Sequence, residues 1–263
     1  VELVAASGGR NLNVFDIHTG ELLTVFVGDE PGRHVGENEG HVAQISCLCF
    51  YGDFIYSGGM DMVIHVWDIV NKKRIMCLQG HEATVVCVAV DDEKIMSGAA
   101  DQKINIWDRV DGTLLRTLGG HKKSVTCLNI GPTWFVSGGA DGEVRVWSIP
   151  AGTETFKGVK SRQRLRGHES GVTAVAYGFL EVVSGTQDGN IFVWWLETKT
   201  IIKKIKAHET MVRQLQFDAT RIVSCGNDGT AVIVDITNGE VSQSLRGHEK
   251  GVVAVAFDTR GGR

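Results

Sequence analysis

Residues 97–108 hold Ser97, Asp101 and Trp107 close together, and His81 stands sixteen residues before the serine. Serine, histidine and aspartate are the groups of a hydrolase triad, in which histidine takes the serine proton and aspartate holds the imidazole. His-Glu pairs occur at His81-Glu82, His168-Glu169, His208-Glu209 and His248-Glu249. A zinc site of the His-Glu-x-x-His kind needs a second histidine four residues on, but Val85, Val172, Val212 and Val252 stand there. Glycine clusters such as residues 137–144 lead from one strand-like run to another, not into a helix, so they are not phosphate cradles.

The triad residues are not singular. Gly-His recurs at His41, His81, His121, His168 and His248, with Ala207-His208 in the remaining slot, and the six histidines are 40, 40, 47, 40 and 40 residues apart. Sixteen residues after a histidine come Ser57, Ser97, Ser137, Ser184 and Ser224. Four further on stand Asp61, Asp101, Asp141, Asp188 and Asp228, then Trp67, Trp107, Trp147 and Trp194, with Val234 in the fifth copy. Equivalent triads repeated down one chain make a sensible scaffold and a strange enzyme. The expected role is a buried hydrogen-bonded brace in each repeat, since strand ends and turns carry polar groups that need partners. No residue is expected to be catalytic.

The elements that position these groups read as strands. Runs of five to eight residues rich in Val, Ile, Cys and Leu are separated by Gly, Asp and Asn turns, and no 3.6-residue periodicity competes. Each unit holds four runs, a to d in order after the histidine. On these residues the chain resembles the WD40 repeat family, marked by Gly-His near the start and Trp-Asp near the end of each unit. The Trp-Asp pair is literal at Trp67-Asp68 and Trp107-Asp108 and altered at Trp147-Ser148, Trp194-Trp195 and Val234-Asp235. The resemblance implies an all-β propeller forming one domain over residues 1–263. Six four-stranded blades can be counted. The first would be closed by N-terminal strands b, c and d together with a C-terminal strand a over residues 251–257, which removes open edges. A fragment of a seven-bladed propeller would show the same ends.

Composition agrees with a globular all-β chain: 43% apolar, 22% charged, 33 glycines and 3 prolines. The net charge of −4 gives no electrostatic footprint for nucleic acid over the whole domain. No apolar run approaches the ~18 residues that span a bilayer, and no membrane insertion is expected. The chain opens at Val1 inside a strand pattern, so it reads as a piece of a longer protein. Cys47, Cys87 and Cys127 fall in register on strand a, which favours packing and a reducing, intracellular setting, cytoplasmic or nuclear.

Departures from the repeat are where partners are expected. Arg213, five residues after His208, replaces Ser46, Val86, Thr126, Thr173 and Val253. The repeats are similar to those of F-box/WD substrate receptors of ubiquitin ligases, where the resemblance implies arginines at that position gripping phosphorylated peptides. Only one arginine is present here. Met60, Met62 and Met211 join Arg213 as candidate docking residues. Two insertions break the spacing, an acidic one over residues 28–39 and a basic one over residues 151–166 with Lys157, Lys160, Arg162, Arg164 and Arg166. The leading expectation is a non-catalytic scaffold that binds proteins or peptides and assembles a complex. Alternatives are a ubiquitin-ligase substrate receptor, an RNA-binding propeller that uses the basic insertion, and a propeller enzyme. No cofactor, metal or small-molecule substrate is expected.

Overall fold

Short β-branched runs cut off by glycine and aspartate turns favour strands over helices. In the computed structural model, which describes residues 3–28, 40–131, 134–149, 161–178 and 180–255, these runs form twenty-three strands and, among the described residues, no helix. The chain divides into two compact units, Val1–Gly120 and His121–Arg263.

In the first unit, β1 (Leu3–Gly8), β2 (Asn11–Asp16) and β3 (Leu22–Phe26) form a three-stranded antiparallel sheet. Two four-stranded sheets follow. One contains β4 (Ile45–Tyr51), β5 (Phe54–Gly59), β6 (Val63–Asp68) and β7 (Lys73–Gln79), and the other β8 (Val85–Val90), β9 (Lys94–Ala99), β10 (Ile104–Asp108) and β11 (Leu114–Leu118). The second unit holds three four-stranded sheets. They are β12 (Val125–Ile130) to β15 (Ser161–Leu165), β16 (Val172–Tyr177) to β19 (Thr200–Lys206), and β20 (Val212–Phe217) to β23 (Val241–Leu245). Between their ends lie β13 (Trp134–Gly139), β14 (Val144–Ser148), β17 (Glu181–Thr186), β18 (Asn190–Trp195), β21 (Arg221–Gly226) and β22 (Ala231–Asp235). Every sheet pairs neighbours in chain order, as hairpin connections require.

The fourth strand expected for the first sheet is not formed among the described residues: 251–255 are not strand, and 256–263 lie outside the description. The backbone donors of this segment go elsewhere. Val252 N–H reaches the Gly226 carbonyl at 2.9 Å and Val255 N–H reaches Gln214 Oε1 at 3.0 Å. A second expectation also needs correction. Residues 161–165 of the basic stretch are not loop but the outer strand β15, paired to β14 and anchored by the fully buried Leu165.

The core lies between consecutive sheets. One cluster joins Leu12, Val14 and Phe26 of the first sheet to Ile45, Ile55 and Trp67 of the second. Another joins Tyr56, Ile64 and Leu78 to Val85, Ile95 and Trp107. Middle strands are therefore buried on both faces: all six residues of β9 are buried, so its sequence shows no polar alternation. The outer strand β11 carries its exposed residues instead.

Close nesting of sheets explains the glycine that follows four of the five brace serines, with Cys225 after Ser224. A Cβ on Gly58 would meet Val85 Cγ1 of the next sheet at 2.6 Å and Cys47 Sγ at 2.7 Å. On Gly138 it would meet Cys127 Sγ at 2.5 Å and Val172 Cγ1 at 2.6 Å. The two cysteines are part of this packing, and burial pushes both thiols up to about 12.

The Trp-Asp aspartate has a separate task, tightening the turn between the third and fourth strands. Asp68, Asp108 and Asp235 each accept a backbone N–H two or three residues on, from Asn71, Val110 and Thr237, at 2.6 to 2.8 Å. Ser148 stands in that place in the one repeat whose connection is long.

Replacing Gly138 by alanine is expected to cost about 1–3 kcal/mol by overpacking. Gly119→Ala, where a Cβ meets nothing within 4 Å, should stay within ~0.5 kcal/mol of the parent. Urea unfolding of both variants checks the contrast.

Candidate functional site

The hydrogen-bonded brace is complete in the second repeat. His81 Nδ1 lies 2.8 Å from Asp101 Oδ2, His81 Nε2 lies 2.8 Å from Ser97 Oγ, and Trp107 Nε1–H donates to Ser97 Oγ at 2.9 Å. The tautomer that satisfies every partner puts the histidine proton on Nδ1, so that Ser97 donates to Nε2. Glu82 and Lys103 N–H also donate to the Asp101 carboxylate, at 3.0 and 2.9 Å. Burial works to raise the pKa of Asp101, but these donors and His81 outweigh it and hold the group below its ordinary value.

The order of proton positions matches a hydrolase triad, yet the serine is sealed. All five brace serines have 0% exposure, and Ser97 Oγ already accepts from Trp107 Nε1–H. Such a group can hold a turn against a strand, but it cannot meet a substrate as it stands.

The structure brings the residues together in the same way around His41 with Ser57, Asp61 and Trp67, and around His121 with Ser137, Asp141 and Trp147. His208 reaches Ser224 and Asp228 without a tryptophan. The fourth repeat departs from expectation. His168 binds Ser184 at 2.8 Å, and Trp194 also reaches that serine, but His168 Nδ1 turns to the Gly142 carbonyl at 3.0 Å rather than to Asp188. Asp188 is instead held by Ser170 at 2.8 Å, Asn190 at 2.7 Å and the Thr186 hydroxyl.

The cause lies two residues before the aspartate. A Cβ on Gly59 would sit 2.4 Å from Asp61 Oδ1 and 2.6 Å from His41 Nδ1, one on Gly139 2.5 and 2.4 Å from the matching atoms of Asp141 and His121, and one on Gly226 3.0 and 2.6 Å from those of Asp228 and His208. Thr186 stands at this position, and its hydroxyl takes the place of the imidazole beside the carboxylate. Burial pushes His168 down to about 4, and the Gly142 carbonyl and the more distant charge of Asp188 offset it only in part.

A second set of bonds was invisible to the spacing analysis. At the position five residues after the histidine, Ser46 Oγ bonds the Gly58 carbonyl of its own sheet and the Val85 carbonyl of the next. Thr126 does the same with Gly138 at 3.0 Å and Val172 at 2.6 Å, and Thr173 with Gly185 at 3.2 Å and Val212 at 2.6 Å. These hydroxyls staple neighbouring sheets. Recurrence of a short hydroxyl in one register was the available signal.

Arg213 occupies this position in the fifth repeat and makes no such staple. It is exposed, and its Nε–H donates to Asn227 Oδ1 at 2.6 Å, while Asn227 N–H donates to the carbonyl of the half-buried Met211 at 2.9 Å. In the other unit, Met60 and Met62 are 50% and 43% exposed. Met62 has φ +68°, in the turn position where Gly142, Gly189 and Gly229 stand in other repeats. A methionine held in that left-handed region is a strained, exposed apolar residue.

The described basic residues face different partners. Lys157 and Lys160 lie outside the described residues. Arg162 is on β15, and Arg164 is exposed on the same strand opposite Arg145. Arg166 pairs with Glu143 at 2.9 Å, and Glu143 also pairs with the buried Arg145 at 2.8 Å. His65 was missed altogether. It is buried against His41, with ring centroids 4.3 Å apart, and one donor atom from each of His41, Asp61 and His65 lies within 4.8 Å of the others.

A family model described as "WD domain, G-beta repeat" matches residues 32–68, 72–108, 112–148, 159–194 and 199–235. No curated protein is matched. Among solved structures, the crystal structure of the computationally designed Ika8 protein is similar at 28% identity and a TM-score of 0.72, over 98% of this chain and 88% of that one.

Thr186→Gly is expected to readmit His168 to Asp188 and raise the midpoint of its NMR titration above about 4; an unmoved midpoint would refute the steric account. In the parent protein, the unfolded state protonates its histidine near the ordinary 6.5 and the folded state only near 4. The His168 contribution is therefore complete above pH 6.5 and declines as pH falls through 4, by about 3 kcal/mol at most. Ser97→Ala strips two buried ring nitrogens of their shared partner and should cost about 2–4 kcal/mol in urea unfolding.

Proposed function

Given a chain that belongs to the WD40 repeat family, whose propellers generally mediate protein–protein contacts without catalysis, we propose that this domain is a non-catalytic platform assembling a multiprotein complex. We take residues 1–263 as one interaction domain that docks protein or peptide segments at residues that leave the repeat pattern. In folds of this kind, function sits on sites carried by the scaffold and not on the scaffold itself.

The observation that carries the proposal is Arg213. Its position is used for cohesion by Ser46, Thr126 and Thr173, whereas Arg213 is exposed and held at one edge by Asn227. A guanidinium fixed through Nε keeps its terminal nitrogens oriented, which suits a carboxylate or phosphate in a docked peptide. Met211 supplies adjacent apolar surface, the composition common at interaction hot spots. A substrate receptor of a ubiquitin ligase is a narrower form of this reading, in which the docked peptide carries acidic or phosphorylated residues. Met60 and Met62 form a second candidate surface.

Quantitative affinity purification tests the assignment with Arg213→Ala, Met62→Gly and the parent chain. Arg213→Ala should reduce recovery of at least one specific partner about tenfold or more, as for a hot-spot residue. Identical partner profiles for all three would sink both surfaces. Met62→Gly should also raise the melting temperature by about 2–4 °C, because about 1 kcal/mol of left-handed strain is relieved.

A further inference from the structure

The position of His65, two residues before Trp67, holds Asn105, Arg145, Phe192 and Val232 in the other repeats. Only the first repeat therefore places an imidazole against its brace histidine. His65 is 3% exposed, and its Nδ1 has no hydrogen-bond partner. A neutral imidazole has one N–H and one lone pair, and whichever of the two stands on Nδ1 is unmet. A buried polar nitrogen without a partner is costly. The ring lies in a cluster with a second imidazole and a carboxylate, one donor atom from each within 4.8 Å of the others.

We propose that His41, Asp61 and His65 bind one divalent transition-metal ion of the zinc type, with water in the fourth position. Two imidazoles and a carboxylate are a donor set that zinc takes at about 2.0–2.2 Å in tetrahedral sites with one open position. Tetrahedral donors at that range are about 3.4 Å apart, so the cluster closes by little more than 1 Å.

Charge and protons balance. His41 now gives its Nδ1 proton to Asp61 at 2.8 Å. When the ion takes Nδ1, that proton leaves and one is taken up at Nε2, 2.8 Å from Ser57 Oγ. The ring stays neutral, the carboxylate stays charged, and Ser57 Oγ accepts from both His41 and Trp67. No other brace can do this, because asparagine, arginine, phenylalanine and valine supply no third ligand.

Cobalt(II) titration of the 263-residue chain, followed by zinc(II), tests the site. One equivalent of cobalt should produce the visible band of a tetrahedral ion, and zinc should bleach it. His65→Phe keeps the stacking, since Phe192 already packs its ring on His168 at 4.6 Å in the same T-shaped manner. That variant should bind cobalt at least tenfold more weakly while melting like the parent without metal. His65→Asn, carrying the residue type of position 105, repeats the test if the first variant folds poorly. Zinc should raise the melting temperature of the parent and of neither variant. Absence of the band, equal binding by the variants, or a thiolate charge-transfer band lost in Cys77→Ser would each overturn the proposal.

Discussion

A buried serine hydroxyl bonded to a histidine, and in four of the five repeats to a tryptophan as well, is the constraint on which the repeats are built. The serine lies on the second strand, the histidine precedes the first, the tryptophan is on the third, and the aspartate is in the turn between second and third. Joining them at 2.7 to 3.0 Å, as around Ser57 and Ser97, fixes three strands and one turn relative to one another. Apolar burial supplies the larger driving force, but it is non-directional, and sheets of Val and Ile could slide past one another. The polar relay supplies the register, because a displaced partner would leave a buried donor or acceptor unmet.

That relay in turn dictates where side chains cannot go. The residue two before the aspartate must be small, as Gly59, Gly139 and Gly226 show by the contacts a Cβ would make. The residue after the serine must be small for another reason, the valine of the next sheet pressing on it at Gly58 and Gly138. The glycine-rich composition thus follows from two separate contacts, one within a sheet and one between sheets. Ala99 marks the limit of tolerance, since His81 and Asp101 still meet beside it at 2.8 Å. Thr186 lies beyond that limit, and the carboxylate there is given to Thr186, Ser170 and Asn190 instead.

Much of the fold was legible in the sequence because it depends on types at fixed spacing: the strands, their chain-order pairing, and the His–Ser–Asp contacts of four of the five repeats. What escaped was whatever depends on volume or on contacts between repeats. Nothing in the spacing of Asp188 reveals that Thr186 crowds its histidine. The staples of Ser46, Thr126 and Thr173 looked like the mere absence of arginine, because their partners are backbone carbonyls that no sequence pattern marks. The strand β15 was hidden because arginines at 162, 164 and 166 make an outer strand resemble a charged loop, although Leu165 keeps its anchor. His65 was passed over because metal spacing was sought in helical steps. In a sheet, ligands converge from neighbouring strands, and separations of 4 and 24 residues bring Asp61 and His41 to it.

The position five residues after the histidine shows why cohesion and recognition exclude each other at a single site. A staple needs a side chain short enough for its oxygen to reach two carbonyls at once, as Thr173 does at 3.2 and 2.6 Å. Such a side chain has no reach beyond the surface. Arg213 has the reach and cannot serve as the short hydroxyl donor placed between two carbonyls, so the fifth repeat gives up this link. Its neighbourhood replaces the lost cohesion by other means, with Gln214 taking the Val255 N–H and Gly226 the Val252 N–H, while Asn227 holds the guanidinium in place. The fifth repeat thus lacks the tryptophan, the leading glycine and the staple together, and still holds its arginine against Asn227, the combination on which the proposed docking role of Arg213 rests.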